Sequence, residues 1–479
     1  MMFALIGRVA QFAIMFVSVK LMTTILPPAE MGKVVLVTTG TAFFALFLIN
    51  PVGMFINRRL HAWMERGVMR QYFHLYCIYL LAVAVFGACF VLGAGKIGWP
   101  KLGMSETWLA FLVGGSLLFN TIVQTLVPSL NMIGRTKPFV ILTVATLLTG
   151  LAGSVWFAVD WRAGAEIWLA GGLASQLFFS AVAYWVFFRD IRATPQALAS
   201  VTGGINRLFR FCWPLALAVG LNWAHMQGYR FLLAERVSLA ELGMFAAGYG
   251  VAASLMAAME MVLTTWFQPI FYQQANSSDF TTRSSAWQDY AKKIIPASVM
   301  GLSALIAVAP DLTSLMLGPA YQASNRYVML GALAEWARVM VGLFGLSAHL
   351  YMNTRSLILP NLLGAAVTFL LLAWFLPSFG LDVAPVSVAI GGGVVVVYLY
   401  FTGRRSDFLM NLDWSGLFRI IVLSAVMLGF ATATHSSIAQ ISGGFAPYLG
   451  ITLVGCVWGV AAYILLWRDS ANSNLKKVI

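Results

Sequence analysis

Charged residues are scarce in this sequence of 479 residues. Only 10% of the chain is Asp, Glu, Lys or Arg, whereas 60% is hydrophobic, and the mean hydropathy is +0.83. Soluble domains have about 25% charged and roughly 45–50% apolar residues, so this chain could not cover a soluble core with a polar exterior. The composition therefore excludes a soluble globular protein and predicts a polytopic membrane protein.

Residues that usually carry chemistry are also few. The five histidines are scattered, and the four cysteines fall in or at the ends of apolar segments without CxxC spacing. These patterns predict neither disulfides nor a metal site. Residues 93–98 match GxGxxG, but they end an apolar segment instead of joining a strand to a helix, so they do not indicate a nucleotide site. We expect no cofactor, no metal and no enzymatic activity.

Long apolar segments are what the chain contains instead. Their continuous character predicts helices, because a membrane β-barrel would alternate apolar and polar residues. The first segment is longer than the apolar region of a signal peptide, so we expect it to remain in the mature protein. The predicted fold is an all-α polytopic transmembrane helical bundle of about fourteen helices. The predicted spans are 3–26, 34–57, 73–95, 107–131, 138–159, 166–188, 209–233, 242–268, 293–311, 326–350, 356–377, 382–402, 417–435 and 446–467.

Basic residues concentrate in alternate loops between these spans. One set of loops contains most of the Lys and Arg residues, among them Arg58, Arg135, Arg283 and Lys477. The other set contains few basic residues. Because cytoplasmic loops carry an excess of Lys and Arg, the first set is predicted to be cytoplasmic, with both termini inside. The same bias explains the net charge of +13 without a nucleic-acid partner.

A short sequence occurs twice at matching places in this topology. AELG at 240–243 repeats AEMG at 29–32, and each copy precedes an apolar segment on the outer side. Parallel repeats separated by an even number of spans are related by an axis along the membrane normal. We therefore expect two pseudo-symmetric six-helix lobes around a central cavity. The predicted domains are an N-lobe at 1–200, a C-lobe at 201–410, and two additional helices at 411–479.

The two charged residues in the middle of the tenth predicted span lie on one face. An unpaired charge at the centre of a span costs about 2.5–3.5 kcal/mol, so each one indicates either a partner or a function. Two interpretations stay open: Glu335 and Arg338 pair while glycines permit close packing, or this face lines a cavity. At the helical period, one arc of roughly 80° contains Gly331, Glu335, Arg338, Gly342, Gly345 and His349.

Glu260 is the corresponding acid of the eighth predicted span. It shares a face with Tyr249, Ala253, Met256 and Thr264, too far inside the span to cap its end. It could be a protonatable coupling group, or it could be the partner of an Arg on a neighbouring helix.

Two more cations lie inside the first and the seventh predicted spans. In the seventh span, Asn222 shares a face with His225 and Tyr229, and Arg230 lies on its flank. Arg230 is close to the outer end, so its side chain could also extend to the membrane interface. Lys20 in the first span is somewhat deeper and is a further candidate for a cavity residue.

Three short stretches resemble a known family. They are TILPPAEMG at 24–32, GMFAAGY at 243–249 and LGPAY at 317–321. Together with the hydropathy pattern, they resemble the polysaccharide-exporter branch of the multidrug/oligosaccharidyl-lipid/polysaccharide transporter superfamily, most closely the lipid-linked O-antigen flippases. The resemblance implies two lobes around a cationic cavity, and alternating access for an undecaprenyl-diphosphate-linked sugar. Relatives often have Asp just before the residue corresponding to Arg230, whereas this chain has Tyr229.

The sequence thus predicts a flippase of the bacterial inner membrane that moves a lipid-diphosphate-linked oligosaccharide, an O-antigen or other surface polysaccharide unit, to the outer leaflet. Arg338, Arg230 and Lys20 would bind the diphosphate or acidic sugars, since guanidinium suits phosphate. Asn222 and His349 would line the cavity, and Glu335 and Glu260 would balance the charge or carry a coupling proton.

The resemblance also implies membrane lipids, a polysaccharide polymerase and a chain-length regulator as partners in the same membrane. Two alternatives remain open. A drug or cation exporter of the same superfamily would need net acidic cavity groups, whereas buried bases outnumber acids in the sequence. A polysaccharide polymerase or ligase usually needs a large outer loop, and the predicted outer loops are short.

Overall fold

The computed structural model describes residues 2–99, 102–189, 201–275, 280–350, 354–405, 410, 412–442, 447 and 449–460. Helices joined by short turns account for nearly all of them, and these residues contain no β-strand. The prediction of an all-α polytopic helical bundle is therefore confirmed.

The described residues of the first half of the chain form ten α-helices. Their bounds are α1 Met2–Ile25, α2 Pro28–Phe44, α3 Asn50–Glu65, α4 Met69–Lys96, α5 Glu106–Gly115, α6 Thr121–Met132, α7 Thr136–Asp160, α8 Ala165–Phe188, α9 Val201–Trp223 and α10 Tyr229–Arg236. The second half contains α11 Leu239–Ala275, α12 Phe280–Ala307, α13 Ala309–Met316, α14 Asn325–Leu350, α15 Ile358–Phe379, α16 Val383–Arg405 and α17 Trp414–Ser442.

Ten stretches of the described chain are long and apolar enough to cross a membrane, and one of them, Arg355–Gly403, comprises both α15 and α16. Ala10–Ile25 and Leu449–Val460 are shorter apolar helices. Each predicted span coincides with one of these stretches or, for span 209–233, with α9 and α10. Residues 461–467 of the last span lie outside the described residues. The chain is thus a multi-pass membrane protein.

Three predicted spans are interrupted by π-helical segments. Five-residue π-helical segments connect α2 to α3, α5 to α6, and α9 to α10, at Ala45–Ile49, Ser116–Asn120 and Ala224–Gly228. The first segment ends just before Asn50 and Pro51, where the missing backbone donor of proline interrupts the regular ladder. Such segments often occur at functional sites.

Contacts divide the chain into two compact units, Met1–Gly243 and Met244–Ile479. In the first unit, α7 packs along α8 and α1 packs on α7. Gly171 permits the closest approach there, because a Cβ on it would lie 2.4 Å from the Ser154 amide nitrogen of α7. The predicted domain bounds at 200 and 410 stay a prediction.

In the second unit, α14 packs between α12 and α16, and α17 packs on α12. Trp287, which is fully buried, donates its indole N–H to the carbonyl oxygen of Leu343 at 3.2 Å and so ties α12 to α14. The indole of Trp458 donates to the hydroxyl of Ser303 at 2.9 Å, which holds the segment Leu449–Val460 against α12.

Outside the spans, Asp413 begins α17. Its carboxylate accepts hydrogen bonds from the Gly416 amide at 3.0 Å and the Ser415 hydroxyl at 2.8 Å. The hydrogen bond from the Gly416 amide, followed by the one from the Ser415 hydroxyl, lowers the pKa of Asp413. A charged acceptor at this position satisfies a backbone donor that the first helical turn would otherwise leave unpaired.

Candidate functional site

Helices α11 and α14 of the second unit pack with their two predicted polar faces together. A Cβ added to Gly331 of α14 would lie 3.2 Å from the Cα of Tyr249 in α11, and one on Gly248 would lie 2.5 Å from the Ser324 carbonyl oxygen. Small residues thus let the two helix surfaces approach closely. The face of Glu335 and Arg338 and the face of Glu260 are therefore opposite sides of one interface.

The charges of the two faces form one hydrogen-bonded cluster. The Arg338 guanidinium donates from Nε to Glu335 Oε2 at 2.6 Å and from Nη2 to Glu260 Oε2 at 2.8 Å. The Tyr249 hydroxyl donates to Glu335 Oε1 at 2.9 Å. We call these four residues, Tyr249, Glu260, Glu335 and Arg338, the α11–α14 charge cluster.

Exposure differs between the two ends of this cluster. The Glu335 side chain is 9% exposed, whereas those of Arg338 and Glu260 are 31% and 30% exposed. A buried ion without partners would be strongly destabilising, and Glu335 is accordingly held by two donors. Glu335 is therefore the enclosed anchor of Arg338, and the Arg338–Glu260 pair forms the accessible end.

The described contacts leave bonding capacity at the accessible end. A guanidinium has five N–H donors, and the contacts of Arg338 engage two of them, one to each carboxylate. With both carboxylates ionised, two negative groups face one positive group, for a formal charge of −1. Arg338 can therefore donate further hydrogen bonds to an anion at the accessible end of the cluster.

The pairing that the sequence offered as one interpretation for Glu335, Arg338 and Glu260 is present in the structure. Glu335 and Arg338 pair within α14, and Glu260 is also the partner of an Arg on a neighbouring helix. Pairing does not exclude a functional role, because Arg338 and Glu260 are partly accessible. Their roles in substrate binding and coupling stay predictions.

Arg230 lies in the first unit, on α10. Its Nη1 atom is 3.4 Å from the Thr39 hydroxyl of α2, and its guanidinium carbon is 6.0 Å from the Tyr229 ring centroid. The Thr39 carbonyl oxygen also accepts the indole N–H of Trp223 at 3.2 Å. Arg230 is half-buried against α2, so it contacts protein instead of extending only to the membrane interface.

The remaining predicted cavity residues are more dispersed. Lys20 on α1 and Asn222 on α9 are half-buried in the first unit. His349 belongs to α14, but its side chain is outside the described part of the chain. The structure thus joins Arg338, Glu335 and Glu260 in one cluster, and the roles of Arg230, Lys20, Asn222 and His349 stay predictions.

The repeated AEMG and AELG sequences contact each other. A Cβ on Gly32 would lie 2.2 Å from the Leu239 carbonyl oxygen, and a Cβ on Gly243 would lie 1.9 Å from the Pro28 carbonyl oxygen. Each glycine therefore meets the carbonyl four positions before the other glycine. Reciprocal contacts of this kind are expected of two copies related by a twofold axis.

Sequence reasoning missed a third ionic contact, near the start of the first repeat. The Glu30 carboxylate accepts hydrogen bonds from the Lys33 ammonium at 2.7 Å and from the backbone N–H of Ala165 at 2.8 Å. Ala165 is the first residue of α8, where backbone donors lack helical partners and an acidic side chain is favoured. The hydrogen bond from Ala165 joins residues 135 positions apart, so sequence spacing gave no signal for it, whereas Glu30 and Lys33 are only three positions apart.

Comparisons with known proteins identify a family and a fold for this chain. The profile of a family described as polysaccharide biosynthesis protein matches residues 21–326. Among curated protein sequences, none matches the chain significantly. Several solved structures are similar in fold. A lipid II flippase MurJ in an inward closed conformation has a TM-score of 0.70 at 11% identity, with 98% of this chain and 100% of that chain covered.

Two transporters of the MOP superfamily are also similar. An inward-facing multidrug resistance MATE family transporter has a TM-score of 0.58 at 14% identity, covering 85% of this chain and 95% of its own. A MOP superfamily transporter from Pyrococcus furiosus has a TM-score of 0.55 at 16% identity, covering 85% and 94%. At these identities the likeness establishes the fold. The predicted resemblance to the polysaccharide-exporter branch is confirmed by the family match together with this fold.

Proposed function

Because the chain belongs to the polysaccharide biosynthesis protein family, we propose that it is a flippase for a lipid-diphosphate-linked oligosaccharide. The cargo is an O-antigen or another surface polysaccharide unit, carried from the inner to the outer leaflet of a bacterial inner membrane by alternating access. Both termini are cytoplasmic in this proposal, and a polymerase and a chain-length regulator use the product in the same membrane. The movement breaks no covalent bond, so we assign no catalytic residue.

The observation that carries the proposal is the α11–α14 charge cluster. Ionisable groups inside membrane spans are costly, and they mark substrate or ion pathways by default. Arg338 combines a fixed anchor, Glu335, with a partly exposed guanidinium edge. The planar fork of a guanidinium can donate two parallel hydrogen bonds to phosphate oxygens, which suits the diphosphate of a lipid-linked sugar.

The two carboxylates have different roles in this proposal. Glu335 is held by the Tyr249 hydroxyl and by Arg338 Nε, so it positions the guanidinium. Glu260 bonds Arg338 through Nη2 and is about one third exposed, so it is the exchangeable partner. The Tyr290 phenol of α12 lies within electrostatic range of Glu260. Protonation of Glu260 neutralises the cluster and weakens the hydrogen bond from Nη2, so that a phosphate oxygen can compete for this donor.

Substrate release reverses that exchange. When Glu260 loses its proton, its carboxylate competes for Nη2 and repels the diphosphate. This is the coupling role that the sequence suggested for the buried acids.

A second candidate function follows from the formal charge of the cluster. Two carboxylates around one guanidinium favour a cation when both are ionised. This reverses the excess of bases over acids that the sequence indicated, and it favours export of an organic cation. The two candidates predict opposite effects of neutralising Glu260, since binding of an anion should strengthen and binding of a cation should weaken.

The test measures lipid-linked oligosaccharide on the outer leaflet in cells that depend on this chain. Losing charge-assisted hydrogen bonds of about 1.5–3 kcal/mol should reduce transport by about 10- to 150-fold in Arg338→Ala. Arg338→Lys keeps the charge but loses the fork, so it should restore transport only in part.

The matched control is Arg326→Ala in the same helix. Arg326 pairs with Asp382 at 3.3 Å while its side chain is 60% exposed, so its loss should cost little. Unchanged transport in Arg338→Ala at normal protein level would remove Arg338 from the mechanism. The amount of folded protein must be measured for each variant, because Arg338→Ala also leaves two carboxylates without their shared partner.

A further inference from the structure

An apolar cavity of about 230 Å³ lies in the first unit, apart from the charge cluster. It is bounded by α2, α4, α5, α9 and α10 and by the connection between α4 and α5. All of its lining residues are apolar or aromatic. Six aromatic rings form much of the wall: Phe43, Phe44, Phe90, Trp99, Trp223 and Phe231.

The cavity offers no bonding partner to water. The only polar side-chain atoms among the lining residues are two indole nitrogens, and both donate elsewhere. Trp99 Nε1 donates to Glu235 Oε1 at 3.2 Å, and Trp223 Nε1 donates to the Thr39 carbonyl oxygen at 3.2 Å. A buried water needs two to four polar partners, and apolar cavities of about 150 Å³ stay dry and accept small hydrocarbons.

The surrounding medium supplies a suitable occupant. The helices α2, α4 and α5 belong to stretches that are long and apolar enough to cross a membrane, so most of the cavity wall is built from such segments. The volume is somewhat larger than that of the cavities of about 150 Å³ that accept one small hydrocarbon, so it fits the end of one chain and not a whole lipid. An empty cavity would forfeit dispersion contacts on its whole lining, and a chain from the bilayer restores them.

We propose that this cavity binds the end of one acyl chain of a membrane phospholipid. Phospholipids surround the protein at far higher concentration than any lipid-linked sugar, so mass action favours them. The bound chain contacts α2, α4 and α5 on one side and Trp223 and Phe231 on the other. Phe231 follows Arg230 directly, so the bound lipid stabilises the position of α10 and its cation against α2. The site is independent of the proposed transport function.

The first experiment uses the full chain in bilayers of phospholipids brominated near the chain ends. Bromine quenches nearby tryptophans, and the Trp223 contribution is the difference between wild type and Trp223→Phe, since the chain has 16 tryptophans. The fluorescence of Trp223 should be at least twofold lower in brominated lipid than in ordinary lipid. No difference would show that no chain enters and would overturn the proposal.

A variant that fills part of the cavity tests whether the lipid chain that quenches Trp223 lies inside it. A Cβ on Gly40 would make ordinary contact, 3.6 Å from the Phe231 ring, so a larger side chain at Gly40 extends into the cavity. Gly40→Leu should remove the extra quenching of Trp223. Gly93→Leu is the matched control, because a Cβ there meets nothing within 4 Å. Equal quenching in Gly40→Leu and wild type would overturn the proposal.

A labelling experiment on the wild-type chain does not depend on the folding of any variant. A phospholipid with a diazirine at the chain end should label residues of the cavity wall, and labelling only elsewhere would contradict the proposal. Polyprenyl phosphate added at a few mole per cent should leave this labelling unchanged. If it abolishes the labelling, the cavity belongs to a polyprenyl chain and the assignment to phospholipid is wrong.

Discussion

Replacing Glu260 by Gln removes one of the two negative charges that face the Arg338 guanidinium, while it keeps the size of the side chain. The Gln carbonyl oxygen can still accept the Nη2 hydrogen bond that now spans 2.8 Å. The formal charge of the cluster changes from −1 to zero, because Glu335 and Arg338 remain. The substitution therefore imitates the protonated form of Glu260.

The size of the effect follows from Coulomb's law. A phosphate charge bound to Arg338 would lie about 6 Å from the Glu260 carboxylate, and at an effective dielectric constant of about 20 the repulsion is about 3 kcal/mol. Since both side chains are about one third exposed, we discount this to about 1–2 kcal/mol for solvent screening. Glu260→Gln should therefore bind the lipid diphosphate about 5- to 30-fold more tightly.

The assay measures binding of a lipid-diphosphate sugar to the purified protein. Glu260→Gln should bind the sugar lipid more tightly than wild type, while its transport is slowed by poor release. Glu65→Gln, which changes an exposed residue, should behave as wild type. Weaker or unchanged binding in Glu260→Gln would refute the proposed exchange.

Two further substitutions test the packing that supports the site. Tyr249→Phe leaves Glu335 without one buried donor, so the free energy of unfolding in detergent should fall by about 1–3 kcal/mol. Transport should also fall, because Glu335 then holds Arg338 less firmly. Unchanged stability would contradict the role of this hydrogen bond. Gly243→Ala places a Cβ 1.9 Å from the Pro28 carbonyl oxygen and should destabilise the protein by about 1–3 kcal/mol, whereas Gly250→Ala on the same helix meets nothing within 4 Å and should not. Equal stability of the two alanine variants would show that the repeat contact is unimportant.

Much of the helical architecture could be predicted from the sequence, because membrane spans leave a strong local signal. An apolar run of about twenty residues has few alternatives to a helix when no water can satisfy its backbone groups. Predicted span 138–159 therefore coincides with α7, Thr136–Asp160, almost residue for residue. The π-helical segments were not predicted, since they depend on side-chain packing more than on hydropathy.

The candidate site was predicted in part. Helical periodicity placed Glu335 and Arg338 on one face of α14 and Glu260 on one face of α11, and their pairing distances agree with both assignments. Periodicity could not show that the two faces meet, because that depends on helix packing between residues 78 apart. The role of Tyr249 as donor to Glu335 depends on the same packing and had no signal in the sequence.

The most direct test of the proposed function is whether the chain moves a lipid-linked sugar across a bilayer. The measurement uses liposomes that contain the purified protein and a lipid-diphosphate oligosaccharide with a labelled sugar, probed with a membrane-impermeant enzyme that releases the label. We predict that wild type makes the inner-leaflet pool accessible within minutes, and that Arg338→Ala leaves about half of the label protected, as in protein-free liposomes. Equal protection in liposomes with wild type and without protein would contradict the proposed function.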